Sequence, residues 1–160
     1  MPSAETSPYA AIAHLGYTTV GIQTDDSSIT GIDFLPQDHP EISPRNPLAA
    51  EAITALRQYG KDPSYHFNLP IRLDGTPYQR KVWEALRTLA SGETITYGDL
   101  AARLQSGARA VGNACRHNPI PLIVPCHRVV AKNGPGGFAG DRHEGWTTLK
   151  QWLLHHEGAL

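Results

Sequence analysis

The residues best suited to chemistry stand together in Ile120-Pro121-Leu122-Ile123-Val124-Pro125-Cys126-His127-Arg128-Val129-Val130. A thiol must become a thiolate to attack an electrophile, and its free pKa is about 8.5. Adjacent cations lower that value, and a nearby imidazole accepts the proton. Cys126, His127 and Arg128 offer thiol, base and cation in succession. An apolar run stiffened by Pro121 and Pro125 is expected to hold the sulfur in a pocket. Neighbours in an extended segment point to opposite faces, so a water relay between Cys126 and His127 is one route around a missing direct bond.

Cys115 is the other cysteine. Two cysteines make no disulfide framework, and neither belongs to a C-x-x-C pair, so a reducing cytoplasm is expected. No apolar run approaches the roughly 20 residues of a membrane helix. Met1 to Tyr17 lacks a basic region and carries Glu5, so no signal peptide is expected. The chain has 160 residues, 40% hydrophobic and 18% charged. That suits one ordinary domain or two small ones and excludes a disordered charged tail. The net charge of −1 hides an asymmetry. Residues 1–75 carry 4 Lys and Arg against 9 Asp and Glu, whereas residues 76–130 carry 7 against 3. Such a basic segment fits either chance clustering or local binding of a polyanion.

The elements that position these groups follow from pattern. Tyr9–Leu15, Tyr17–Thr24 and Ile29–Leu35 read as short strands, with Gly16 and Asp25-Asp26-Ser27-Ser28 as turns. Leu48–Tyr59 predicts a helix with Leu48, Ala52, Ala55, Leu56 and Tyr59 on one stripe and Gly60 as its stop. Phe67-Asn68-Leu69 and Ile71 suggest one more strand. Thr76-Pro77 begins a second helix, faced by Val82, Trp83, Leu86, Leu89 and Ala90 and ended by Gly92. Thr96 and Asp99 match a capping box ahead of Leu100, Ala101 and Leu104. Ser106 is expected to cap a further helix to about His117, which Asn118-Pro119 stops. Two short helices joined by a tight turn make a helix-turn-helix candidate, a weak signal alone.

At 100° per residue, Arg109, Gly112, Asn113 and Arg116 share one face of that last helix. Ala108, Val111, Ala114 and Cys115 share the other, which makes Cys115 a structural cysteine. A face so low in bulk suits either tight helix packing or close approach to a partner. Trp83, Trp146 and Trp152 read as packing residues.

Beyond this point the sequence resembles a known family, the O6-alkylguanine-DNA alkyltransferases. The resemblance rests on Pro125-Cys126-His127-Arg128-Val129, Thr96-Tyr97-Gly98-Asp99-Leu100-Ala101, Ala108-Arg109-Ala110-Val111-Gly112, Arg116-His117-Asn118-Pro119-Ile120-Pro121 and Trp152-Leu153-Leu154-His155-His156-Glu157-Gly158, in family order. It is strong over about residues 65–160; residues 1–64 match only in size and α/β character. It implies a single-turnover repair protein that flips O6-alkylguanine out of duplex DNA and moves the alkyl group to its own cysteine. By position Cys126 is the acceptor, His127 its base through a water, and Glu157 the orienter of His127. Asn118 holds the turn, and Tyr97 donates to the departing guanine. Arg109 fills the gap left by the flipped base; Thr96, Ala108, Gly112, Asn113 and Arg116 join it on the DNA side. Val129 and the Phe138-Ala139-Gly140 loop line the guanine pocket.

The resemblance also implies a ribonuclease-H-like α/β N-terminal domain, a small sheet plus helix over residues 1–70. A mainly helical DNA-binding domain with the helix-turn-helix and active site follows over 71–160. The expected partner is double-stranded DNA carrying O6-alkylguanine, gripped through the minor groove without sequence preference, by a protein that is a monomer when free. Phe138 stands where family members usually carry Tyr, so a hydroxyl is absent. Asp141–Thr148 reads as a lengthened loop. No cofactor is implied, and without an N-terminal cysteine no thiolate zinc site is expected. Two other classes compete: a lesion sensor or helix-turn-helix regulator without catalysis, and a thiol hydrolase built on Cys126 and His127. The last leaves Tyr97, Arg109 and Asn118 unexplained.

Overall fold

A computed structural model describes residues 7–132 and 144–160, the first four of the latter as backbone only. The chain divides into two compact units, Met1–Leu73 and Asp74–Leu160.

The first unit is a three-stranded antiparallel meander, β1 (Ala11–His14), β2 (Thr19–Thr24) and β3 (Ile29–Leu35), followed by α1 (Pro47–Lys61). The Asp25 carboxylate accepts from the backbone N–H of Ser27 and Ser28 at 2.9 and 2.7 Å, which closes the β2–β3 turn. The register pairs Val20 with Phe34 and Ile22 with Ile32. Those four side chains are buried, as are Ala49, Ala52, Ala55, Leu56 and Tyr59 of α1. Helix α1 starts where its chemistry dictates: the Asn46 side chain accepts from Ala49 N–H at 2.8 Å and Pro47 presets the first turn.

Gly60 does not stop α1, which runs on to Lys61. Its missing Cβ serves packing: a Cβ there would lie 2.9 Å from the Tyr17 ring, whose hydroxyl donates to Leu56 O at 2.8 Å. The extra strand expected at Phe67–Leu69 is absent. Only Ile71 makes an isolated bridge, to Ile29, because Pro70 interrupts the run and its carbonyl already accepts from Ile29.

The second unit holds α2 (Pro77–Leu86), β4 (Ile95–Thr96), α3 (Tyr97–Arg103), α4 (Ala108–Arg116), a 3₁₀ turn (Cys126–Arg128), β5 (Val129–Val130) and α5 (Glu144–His156). A reciprocal capping box starts α2: Thr76 Oγ1 accepts from Gln79 N–H and Gln79 Oε1 from Thr76 N–H, both at 3.0 Å. The helix ends at Leu86, short of the expected Gly92, and turns cover the interval. Trp83 is buried and donates its indole N–H to Ala114 O at 2.8 Å, which ties α2 to α4. Thr96 caps α3 by accepting from Asp99 N–H at 3.0 Å.

Ser106 does not cap α4. Gly107 takes that place without a side-chain bond, and Ser106 Oγ meets the Tyr78 hydroxyl at 2.8 Å instead. β4 and β5 pair in parallel, Ile95 with Val129 and Thr96 with Val130, which brings the start of α3 beside the residue after the cysteine turn. Residues 144–148, expected in a lengthened loop, are helical and open α5. Among the described residues, no helix is long and apolar enough to cross a membrane.

Candidate active site

The apolar approach to Cys126 is a tight loop rather than a strand. Asn118 organises it by donating Nδ2 to Val124 O at 2.9 Å and accepting Ile120 N–H on Oδ1 at 3.0 Å. Val124 N–H returns to Ile120 O at 2.9 Å, and Leu122 is held at φ +75°, a left-handed conformation that a leucine adopts only under constraint. Pro121 to His127 are all buried. Cys126–Arg128 then forms a 3₁₀ turn, so the thiol and imidazole do not alternate as they would along a strand.

His127 is 1% exposed. Its Nε2 lies 2.8 Å from Glu157 Oε2, which assigns the proton to Nε2, while Nδ1 is buried with no hydrogen-bond partner among the described residues. An orphaned buried acceptor of this kind suits one bridging water. Burial pushes the imidazole pKa below its usual value, outweighing the opposite pull of Glu157. The ring is therefore neutral at pH 7 and free to accept a proton.

Glu157 comes just past the end of α5 and is shared. Arg128 grips it with a fork, Nε to Oε1 and a terminal nitrogen to Oε2, both at 2.9 Å, and sends its other terminal nitrogen to Leu89 O at 2.7 Å. Gly92, at φ +88°, points its N–H toward Glu157 Oε1 at 3.5 Å, and its missing Cβ avoids the Glu157 carbonyl. The carboxylate is thus held ionised and its orientation fixed.

Cys126 is 6% exposed. Burial raises its thiol pKa, against a hydrogen bond from Asn118 and the charge of Lys150, both of which lower it. The expectation that the adjacent cation would activate the thiol is corrected here. Arg128 turns toward Glu157, and the cation acting on Cys126 is Lys150, from α5. Cys115 is also buried, its thiol pushed up to about 12 chiefly by desolvation, as a structural cysteine requires.

Tyr97 opens α3 half-buried, next to Thr96. A Cβ on Gly112 would stand 4.0 Å from the Tyr97 ring. Arg109, Asn113 and Arg116 are exposed along α4, while Val111, Ala114 and Cys115 are buried. Ala108, projected onto the inner face, is exposed, because the first helical residue has no preceding turn to cover it. Val129 is buried in β5 beside the cysteine turn. Phe138, Ala139 and Gly140 lie outside the described residues, as does the side chain of Trp146. Trp152 is not a core residue; it is 38% exposed and stacks on His156 with centroids 4.6 Å apart.

Sequence reasoning passed over Lys150. It is 0% exposed and donates Nζ to Val129 O at 2.7 Å. The signal was present: on a helical projection Lys150 falls in the middle of the arc made by Leu149, Leu153, Leu154 and Glu157, all buried. Among the described residues, no group of three or more His, Cys, Asp or Glu is arranged to hold a metal.

Residues 77–159 match the family model described as 6-O-methylguanine DNA methyltransferase, DNA binding domain. A probable methylated-DNA–protein-cysteine methyltransferase of Acanthamoeba polyphaga mimivirus is 40% identical over 141 residues, which span 86% of this chain and 89% of that protein. The chain belongs to the methylated-DNA–protein-cysteine methyltransferase family. A family member from Shigella flexneri is 41% identical over 133 residues, covering 81% of this chain and 74% of the relative. The fold agrees with the same assignment. The crystal structure of Mycobacterium tuberculosis O6-methylguanine methyltransferase superimposes with a TM-score of 0.77 at 30% identity, over 91% of this chain and 90% of that one. The M. tuberculosis protein in complex with DNA also gives 0.77, at 31% identity, over 94% and 93%. Solved methyltransferases of this family thus share with this chain a fold of a small sheet plus helices.

Proposed function

We propose that this protein repairs O6-alkylguanine in duplex DNA by transferring the alkyl group irreversibly to its own Cys126. The observation that carries the reading is the relay: a buried thiol followed by a neutral imidazole whose free Nδ1 is orphaned and whose Nε2 is anchored on an ionised Glu157. The thiol proton passes through a water to His127 Nδ1, and Glu157 stabilises the imidazolium. The sulfur attacks the alkyl carbon; the S–C bond forms as the C–O6 bond breaks. The electron pair passes to the guanine, to which Tyr97 donates through its hydroxyl. The thioether is stable, so each molecule acts once.

The target carbon lies inside the base stack, so the reaction requires the nucleotide to be flipped out. Helices α3 and α4 act as a helix-turn-helix, with α4 approaching the minor groove. Arg109 enters the stack, and Thr96, Ala108, Gly112, Asn113 and Arg116 face the duplex. Affinity comes from phosphates and shape, independent of sequence. Val129 lines the guanine pocket. The part to about residue 70, ribonuclease-H-like in outline, supports the part from 71 onward. The protein works in the cytoplasm as a monomer when free.

Intact-protein mass spectrometry after incubation with a duplex carrying one O6-methylguanine tests this. The expected result is a gain of one CH2 per protein, mapped to the Cys126 peptide and saturating at one. Cys126→Ser is expected to abolish the gain while leaving DNA binding intact. Tight lesion binding by the unaltered protein without any gain would instead indicate a sensor. Transfer at the normal rate by Cys126→Ser would overturn the acceptor assignment.

A further inference from the structure

A helix of nine residues is too short to hold itself together, and α4 carries further handicaps. Gly112 sits at its middle, Gly107 begins it without a side-chain cap, and its first turn holds no acidic residue. The turn that leads into it adds strain: Gln105 stands at φ +55°, a left-handed conformation uncommon outside glycine. Ala108, Arg109 and Ala110 are all exposed, so burial does not fix these first residues. The start of α4 must therefore be set from outside, and α2 is the element that reaches it. At one end the Tyr78 hydroxyl meets Ser106 Oγ at 2.8 Å, partly buried, just ahead of Gly107. At the other the Trp83 indole N–H donates to Ala114 O at 2.8 Å. Helix α2 is itself fixed at its start by the Thr76–Gln79 capping box, within which Tyr78 stands.

We infer that Tyr78 is a positioning residue for action on duplex DNA: with Trp83 it makes α2 a two-point clamp that holds the start of α4, and with it Arg109, in place. The inference rests on the reading above, in which Arg109 enters the stack as the damaged base leaves. Arg109 lies three residues after Ser106. A long side chain that must enter a base stack works only from a fixed backbone, since an error of about 1 Å in placing such a group slows a reaction strongly. The Tyr78–Ser106 pair supplies that fixity where α4 lacks it. The pair also accounts for Ser106 giving up the capping place to Gly107: its hydroxyl anchors the turn to another helix instead of the N–H groups of its own. Tyr78 takes no part in the relay of Cys126, His127 and Glu157, so the chemistry at the sulfur is expected to be indifferent to it.

The test compares single-turnover transfer from a saturating duplex carrying O6-methylguanine with transfer from the free base O6-methylguanine, which needs no α4. Rates are taken per active molecule for the unaltered protein, Tyr78→Phe, Ser106→Ala and the double variant. Each single variant is expected to slow the duplex reaction about fivefold, the factor that one neutral hydrogen bond is worth. The free-base rate is expected to stay within about twofold, and the double variant to be no slower on duplex than either single one, because all three lose the same bond. A role in packing alone would lower the active fraction or slow both substrates alike. A Tyr78→Phe duplex rate equal to that of the unaltered protein therefore overturns the inference, as does equal slowing on both substrates. Slowing of the double variant by the product of the two single factors also overturns it, since the hydroxyls would then act apart. If the unaltered protein takes up no methyl group, or Arg109→Ala leaves the ratio of duplex to free-base rates unchanged, the underlying reading is overturned instead.

Discussion

The two units solve the same folding problem with different interiors. Among the described residues of Met1–Leu73 the buried set is apolar apart from Thr19, and sheet register and one capped helix account for the arrangement. In Asp74–Leu160 the interior holds His127, Lys150 and Glu157 along with two cysteines. Burying ionisable groups costs stability unless each finds a partner. The second unit supplies those partners with a forked Arg128, a carbonyl from Val129 and a tight loop closed by Asn118. Such expense without return would be hard to explain, so the contrast marks where the chemistry is before any substrate is considered.

Glu157→Ala tests the contrast most severely. It leaves His127 and Arg128 without their shared carboxylate, and loss of one partner from a buried ion pair typically costs roughly 3–5 kcal/mol. Chemical denaturation is expected to show that loss, and the surviving folded protein is expected to transfer alkyl groups slowly. Unchanged stability and rate would erase the distinction between the two interiors.

Leu56→Ala sets the other side of the comparison. Leu56 is fully buried in α1, and such truncations cost about 2–5 kcal/mol through lost contact and cavity formation. The transfer rate per folded molecule is expected to stay unchanged, because the site lies in the other unit. A fall in that rate would mean that the two interiors are energetically coupled.

The mildest perturbation changes no residue. His127 has a folded pKa below its ordinary 6.5 because it is buried. The unfolded chain then binds a proton that the folded protein excludes, so stability is fully present above 6.5 and falls as the pH drops below it. In the first unit, Asp25 is held below its ordinary 3.8 by the N–H groups of Ser27 and Ser28, so its contribution is lost only at pH below 3.8. Urea midpoints across pH are expected to show two separate acid steps, the upper one flattened in His127→Gln. A single step near 3.8 in both proteins would contradict the buried, neutral histidine.

Much of this was legible in order along the chain. Asn46-Pro47 and Thr76-Pro77 start helices because the groups that satisfy the first free N–H donors lie within three residues of them. The meander β1–β3, the α4 face with Arg109, Asn113 and Arg116, and the buried Cys115 follow from period and turn chemistry. Local signals misled where a distant group intervened. Gly60 looked like a helix stop until the Tyr17 ring, 43 positions earlier in sequence, claimed the space beside it. Ser106 looked like a cap until Tyr78 engaged its hydroxyl.

The site divides the same way. Residue type pointed to Cys126 and His127, and the family resemblance added Asn118, Tyr97 and Glu157 as candidates. The sequence could not say that Arg128 would serve Glu157, 29 residues away, in preference to the adjacent thiol. Nor could it say that Lys150 would supply the charge near the sulfur. Charges act through space and burial sets their strength, so those two assignments exist only once the folded chain has brought α5 against the cysteine turn.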